Sequence, residues 1–229
     1  MKTLSSILSI LILSLCAASA DPKTEVTDAI KKLAQQSGYS WTSTPKTEGS
    51  ESARRQGPTD GKTEKDGYSL LKVEVGDVTA EIAFKGEKMA VNYNGNWIST
   101  AELGENNRNV QRLKAMKRPT DEAETLAGKA SALKKESDGV YSSELDGAAA
   151  KEMFALLGRR AAEAPEAKGS VKFWVKDGRL AKYEFIVRGK ITAGEDKREV
   201  DLSRTTTVEI KEVGSTKVSL PEDAKKKLS

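Results

Sequence analysis

Histidine is absent from this chain of 229 residues, and cysteine occurs once, at Cys16. These absences exclude the Ser–His–Asp triad, the Cys–His dyad and most zinc sites. Long hydrophobic runs are missing too. The stretch from Leu4 through Leu15 is diluted by Ser5, Ser6, Ser9 and Ser14. It covers about a dozen residues where a membrane-spanning helix needs roughly 20, and no later stretch is apolar enough to span. No P-loop, dinucleotide fingerprint or Ca²⁺ loop is present. The chemistry left over is carboxylate pairs, Ser–Lys pairs or Tyr. The many Asp and Glu residues sit mostly in Lys-interleaved stretches, which read as solvated faces. The expectation is a chain that is not an enzyme and has no cofactor and no metal.

What is present begins with an export signal. Met1 and Lys2 give a short positive start, the diluted apolar stretch follows, and Ala18-Ser19-Ala20 supplies small residues ahead of Asp21-Pro22. This three-part pattern predicts a cleaved signal peptide over residues 1–20. Leu13-Ser14-Leu15-Cys16 also resembles a lipobox, although Leu15 stands where such boxes want a small residue. Anchorage through a lipidated Cys16 is thus the alternative to a periplasmic or secreted soluble form. Cleavage leaves about 209 residues, one domain by length and enough chain for a core. Lys and Arg number 38 against 34 Asp and Glu. Such a balance is mixed and mildly basic, not that of a nucleic-acid binder. With Cys16 removed, the mature chain has no thiol and no disulfide, which suits a bacterial periplasm or cell exterior.

Helix and strand signals alternate in blocks. Asp21-Pro22 opens a helix with Val26, Ala29, Ile30, Leu33 and Ala34 on one face, and Gly38 ends it. Tyr39 to Thr44 predicts a short strand. Residues 45–67 hold Pro, Gly, Ser, Thr and charge, with Ala53 the only apolar side chain apart from Pro, and predict a long mobile loop. Period-two alternation then marks Leu71, Val73 and Val75, next Val78, Ala80, Ile82 and Phe84, next Met89, Val91 and Tyr93. Turns at Gly76-Asp77, Gly86-Glu87 and Asn94-Gly95 separate them and lead to Trp97. Ser99-Thr100-Ala101-Glu102 is a capping box for a helix to about Lys117. Pro119 stops that helix, and Thr120-Asp121 opens another across Leu126, Ala130 and Leu133. After a short strand at Val140, Tyr141 and Ser143, Asp146 caps a third helix with Ala149, Met153, Leu156 and Leu157 on one face. Strands return at Val171, Phe173 and Val175, at Tyr183, Phe185 and Val187 beyond the Asp177-Gly178 turn, and over residues 197–213. Leu220-Pro221 ends the ordered fold, leaving Lys225-Lys226-Lys227 as a charged tail.

Segregated runs of this kind predict an α+β domain over residues 21–229. Its sheet is expected to be large and antiparallel, with seven or eight strands. A sheet of that size curls, so the expected form is an incomplete β-barrel with helices on its concave face.

The stretch Val171-Lys172-Phe173-Trp174-Val175-Lys176-Asp177-Gly178-Arg179-Leu180 resembles the W-V-x-x-D-G-x-L hairpin of bacterial LolA-like and LppX/LprG-like envelope proteins. The strand with Tyr183 and Phe185, the long strand through Val208 and Ile210, and the closing Val218-Ser219-Leu220-Pro221 follow in the same order. Gly139-Val140-Tyr141-Ser142-Ser143-Glu144-Leu145, leading into an Ala-rich helix, is also similar. The resemblance covers most of residues 22–221 and implies an extracytoplasmic half-barrel whose apolar cavity holds lipid or lipoprotein acyl chains. Leu71, Val73, Ile82, Phe84, Phe173, Val175, Tyr183 and Phe185 are then the candidate lining, with ordinary core as the alternative. This chain departs from the pattern in its long helices, where Leu126, Leu133, Met153, Leu156 and Leu157 can fill the hollow.

Two functions compete. One is an acyl-chain carrier of the envelope. The other is an interaction module whose half-barrel is a scaffold for an envelope protein partner, with Trp41, Trp97 or Trp174 as an exposed anchor. The carrier needs an open apolar cavity, the module a filled core.

Overall fold

The computed structural model describes residues 21–49, 56–65, 67–75, 78–104, 110, 116–193, 196 and 198–229. The signal peptide at 1–20, the Gly76-Asp77 turn, and residues 105–109 and 111–115 of the long helix expected to follow Ser99 lie outside the described residues.

Helix α1 (Pro22–Ala34) starts as the sequence demands. Asp21 caps it by accepting from the Thr24 amide, and Pro22 occupies the first turn, where its missing N–H costs nothing. Strands β1 (Gly38–Glu48), β2 (Gln56–Glu64), β3 (Tyr68–Val75), β4 (Val78–Lys85), β5 (Lys88–Tyr93) and β6 (Asn96–Ser99) form one meander. Helices α2 (Thr100–Leu103) and α3 (Pro119–Lys129) follow, then β7 (Lys134–Ser137), β8 (Val140–Glu144), α4 (Gly147–Ala155) and α5 (Arg159–Ala162). Strands β9 (Ala167–Lys176), β10 (Arg179–Ala193) and β11 (Arg198–Lys211) complete a second meander, and α6 (Glu222–Lys227) closes the chain. The sheet has eleven strands, all antiparallel to their neighbours, in the order β6-β5-β4-β3-β2-β1-β11-β10-β9-β8-β7. The pairing of β1 with β11 joins the two meanders, and β6 and β7 are left as open edges. This is the expected α+β fold, an open antiparallel sheet with α1 and α3 on one face, and it adds α6 on the other face and more strands than its alternation predicts.

The extra strands lie where apolar alternation is absent. Residues 45–67 are no continuous loop: β1 runs to Glu48 and β2 covers 56–64, while residues 50–55 and 66 lie outside the described residues. The backbone is satisfied by ladders from Ser40–Lys211 to Glu48–Ser203 on one side of β1 and Gly38–Glu64 to Ser43–Thr59 on the other. The inward positions are filled by Thr and Gly in place of Val and Leu. Gly61 lies under the Trp41 indole, and a methyl group there would stand 2.1 Å from a ring carbon. Thr63 accepts from the Trp41 ring N–H at 3.4 Å and from Ser69 Oγ at 3.2 Å, so these buried polar groups partner one another. Strand β7 was hidden for a different reason: it is an edge strand with all four residues exposed, so no face of it needs apolar side chains.

Two turns follow the sequence directly. Asn94 and Gly95 have φ of 50° and 87°, and Asp177 and Gly178 have 52° and 68°, the paired positive values of a type I′ hairpin. The capping box is complete: Ser99 Oγ accepts from the Glu102 amide, and Glu102 accepts from the Ser99 amide.

Helices depart from expectation at their ends. α3 stops at Lys129, so Leu133 lies beyond it, packed at the margin of the core. α4 stops at Ala155, leaving Leu156 71% exposed, while Phe154 takes the fully buried position. Gly189 makes room for Phe154, since a methyl group there would meet its ring at 2.9 Å. The ordered fold does not end at Pro221. α6 carries Ala224 and Leu228 onto the sheet face opposite α1, where they meet Ala83, Ala90, Trp97 and Leu220. The charged Lys225–Lys227 run is the solvent side of that helix, and Lys227 reaches Glu102 at 2.6 Å. Ala83, Ala90 and Trp97 of β4, β5 and β6 are therefore covered on the face away from α1.

Candidate functional site

The concave face is built from alternate residues of the strands. On β9 and β10, Val171, Phe173, Tyr183 and Val187 point inward; on β3 and β4, Leu71, Val73 and Ile82 do. Helix α1 lays Val26, Ala29, Ile30 and Leu33 onto this face, and α3 adds Ala123, Leu126 and Ala127. All eight sequence-selected residues belong to this one cluster. Leu71, Val73, Ile82, Phe173 and Tyr183 are buried in it, and Phe84, Val175 and Phe185 are half-buried at its margin. Phe173 and Tyr183 are 0% exposed, with ring centroids 6.5 Å apart. The helices thus fill the hollow over β9 and β10.

The described helices leave part of it open over β3 and β4. A cleft of about 360 Å³ opens between these strands and the segment leading into α3. Leu71, Phe84 and Met116 supply its apolar walls, Gly67, Ser69 and Gly86 small and polar positions, and Glu87, Lys117, Arg118 and Asp121 its charged groups. Of the eight selected residues, only Leu71 and Phe84 line it. A second hollow of about 240 Å³ lies between the end of α1 and the start of α3, lined by Ile30, Tyr39, Thr63 and Thr120 among mostly polar and charged side chains. Arg118 and Asp121 line both.

The start of α3 positions this charged wall. Pro119 takes the first helical position and Arg118 caps from an extended conformation, with no side-chain cap of its own. Its guanidinium instead forks onto Asp121, with Nε 2.8 Å from Oδ2 and Nη2 3.3 Å from Oδ1. The next carboxylate, Glu122, turns inward and accepts from the Tyr183 hydroxyl at 2.6 Å. Burial pushes the Glu122 carboxyl above the usual range, against the lowering effects of the Tyr183 bond and the positive charges of Lys117 and Arg204. Burial and the Glu122 carboxylate together push the Tyr183 phenol well up. Tyr39 and Thr120 share a second buried contact at 3.4 Å, and burial raises the Tyr39 phenol. The phenols thus tie the first turn of α3 to β1 and β10.

Sequence reasoning missed Met116, Lys117, Arg118 and Asp121. The signal was there in Arg118-Pro119-Thr120-Asp121, a break between helices that places two opposite charges at a helix start. The two tyrosines in apolar rows were a second signal, since a buried hydroxyl needs a polar partner. Two of the three tryptophans expected as exposed anchors are not exposed. Trp41 and Trp97 are buried; Trp174 is half-buried on the other face of the sheet, flanked by the Lys182 and Lys172 ammonium groups at 4.5 and 5.5 Å from the ring centre. Among the described residues no group of three or more acidic side chains is placed to hold a metal ion, and no helix is long and apolar enough to cross a membrane.

No protein-family profile and no curated protein sequence matches the chain. Its fold is similar to that of several solved structures. LprF from Mycobacterium bovis matches with a TM-score of 0.48 and 11% identity, over 89% of this chain and 97% of that one. Lipoprotein LppX from Mycobacterium tuberculosis matches with a TM-score of 0.48 and 10% identity, over 87% and 98%. A LolA-superfamily protein from Nitrosomonas europaea gives 0.34 and 10%, over 89% and 96%. They include LppX and a LolA-superfamily protein, the groups named in the resemblance above. The likeness is one of fold and carries no residue roles.

Proposed function

We propose that this chain is an extracytoplasmic binding protein, not an enzyme, and that it takes the alkyl chain of a single-chain amphiphile in the cleft between β3, β4 and the start of α3. The observation that carries this reading is the meeting of Leu71, Phe84 and Met116 in about 360 Å³ beside the charged side chains of Glu87, Lys117, Arg118 and Asp121. Small-molecule sites begin at about 300 Å³ and combine apolar walls with a few placed polar groups. An apolar wall beside a rim of mixed charge, with Lys117 and Arg118 facing Glu87 and Asp121, matches a ligand with an alkyl end and a polar end. The export pattern at Met1 to Ala20 supports a periplasmic or secreted location, with the mature chain starting at Asp21.

A second reading has its own observation. Phe173 and Tyr183 are sealed under α1, so the larger part of the concave face is core. In that reading the half-barrel is a scaffold, and its partner is an envelope protein bound on the outer surface.

Native mass spectrometry of protein purified from a membrane-containing lysate separates the two. An adduct with the mass of an alkyl amphiphile supports the binding protein; bare protein from every preparation leaves the scaffold. The same spectra read the N-terminus. Cleavage after Ala20 gives a chain beginning at Asp21, whereas a diacylglyceryl-modified Cys16 at the N-terminus overturns the soluble location.

A further inference from the structure

We infer that the ligand's polar end is a zwitterionic headgroup, held at the rim of the β3–β4 cleft with its anionic group at Lys117 and its cationic group at Glu87. The inference rests on the amphiphile reading above and adds the charge type of the headgroup and the two residues that select it. Four charged side chains line the cleft, Glu87, Lys117, Arg118 and Asp121, so the rim carries two charges of each sign and no surplus of either. They are not equally available. Arg118 is forked onto Asp121 and has a further interaction besides, so this pair is occupied. Lys117 donates to the Thr125 hydroxyl at 3.1 Å, a neutral partner that leaves its charge unpaired. The buried Glu122 carboxyl feels that charge through space but bonds to the Tyr183 hydroxyl. The Glu87 carboxylate has no hydrogen-bond or ion-pair partner among the described residues. Its neighbours in sequence, Lys85 and Lys88, are engaged elsewhere: Lys85 lies 5.2 Å from the centre of the Tyr68 ring, on the α6 side of the sheet, and Lys88 donates to the Ser229 carbonyl. One spare charge of each sign is left.

The two come from different elements. Glu87 is in the turn between β4 and β5, on the sheet side of the cleft, and Lys117 is in the segment leading into α3, on the helix side. With the alkyl chain against Leu71, Phe84 and Met116, a headgroup bearing a phosphate and an ammonium meets an opposite charge from each side. A purely anionic headgroup gains Lys117 and meets Glu87 as a like charge, and a neutral one gains neither. Both side chains are exposed, so each contact is modest and weakened by salt.

The test titrates three amphiphiles, each with one dodecanoyl chain, into the full mature protein at low ionic strength: lysophosphatidylethanolamine (zwitterionic), lysophosphatidylglycerol (anionic) and monododecanoylglycerol (neutral). Wild type is expected to bind the zwitterion at least about fivefold more tightly than either of the others. Glu87→Gln brings the zwitterion and the anion within about twofold. Lys117→Gln brings the zwitterion to within about twofold of the neutral amphiphile, whose own affinity is unchanged in both variants. Melting curves run alongside, and both exposed-site variants are expected to melt as wild type does; should one not fold, the wild-type ranking and the other variant decide. Three results overturn the zwitterionic headgroup and leave the amphiphile reading standing. One is a wild-type ranking in which the zwitterion does not bind most tightly. The second is a preference over the anion that survives Glu87→Gln, and the third a preference over the neutral amphiphile that survives Lys117→Gln. Binding of none of the three overturns both.

Discussion

The β3–β4 and β9–β10 hairpins carry the same message in sequence and meet different fates. Each has an apolar row at every second residue: Leu71, Val73, Ile82 and Phe84 in one, Val171, Phe173, Tyr183 and Phe185 in the other. On β9 and β10 the row is capped by α1 and by the inward turn of Glu122, and Phe173 and Tyr183 have no exposed surface. On β3 and β4 the described helices leave a cleft, and Leu71 and Phe84 border it. Alternation states which side of a sheet a residue takes. It does not state what lies above it, because that depends on where a helix from elsewhere in the chain ends. A hollow is therefore a property of the helix boundaries near Arg118 and Ala34 as much as of the strands.

This contrast makes a graded set of expectations. Phe173→Ala removes a fully buried ring from the sealed side and is expected to cost about 3–5 kcal/mol in urea unfolding. A cost near that of a surface change would mean that the β9–β10 side is hollow too. Gly61→Ala drives a methyl group into the Trp41 ring and is expected to cost about 1–3 kcal/mol, with a change in tryptophan fluorescence. That would establish β2 as a packed strand; no loss would return residues 56–64 to a loop.

Next comes the tie between α3 and β10. Because the Glu122 carboxyl is held above its unfolded value, the folded chain binds that proton more tightly than the unfolded chain does. The stability from this group is fully present below the unfolded value, about pH 4.3, and is lost as pH rises through the folded value. Melting temperature followed across that window should fall by less in Glu122→Gln than in wild type. Identical profiles would put Glu122 in solvent. The smallest stability effect is expected from Phe84→Gln, about 1 kcal/mol for a half-buried ring at the cleft, although amphiphile binding should drop at least about tenfold. A loss of stability matching Phe173→Ala with no change in binding would erase the difference between the two hairpins.

The strands with apolar alternation were legible in the sequence, as were the type I′ turns and the caps at Asp21, Ser99 and Asp146. The polar strands were not. β1 was legible over Tyr39 to Thr44 but not on to Glu48, and β2 places Thr63 and Gly61 where a core residue is expected, because the Trp41 indole occupies the space a larger neighbour would need. The closing helix was obscured by three lysines in a row, although Ala224 and Leu228, four residues apart, mark its inner face. The candidate site was half legible. Leu71 and Phe84 could be found by period, whereas Met116, Arg118 and Asp121 enter only once α3 is folded back over the sheet. Glu122 could not be separated from the surrounding solvated acids without knowing that Tyr183 faces it.

The open β3–β4 side is tested most directly by photolabelling. A sixteen-carbon carboxylate bearing a diazirine on its chain is bound to the mature protein, irradiated, and mapped by peptide mass spectrometry. The expected labels fall on Leu71, Phe84 and Met116, with Phe173 and Tyr183 unlabelled. Labels on the β9–β10 row, or none that excess unlabelled carboxylate suppresses, would contradict the division of the sheet into a sealed half and a binding half.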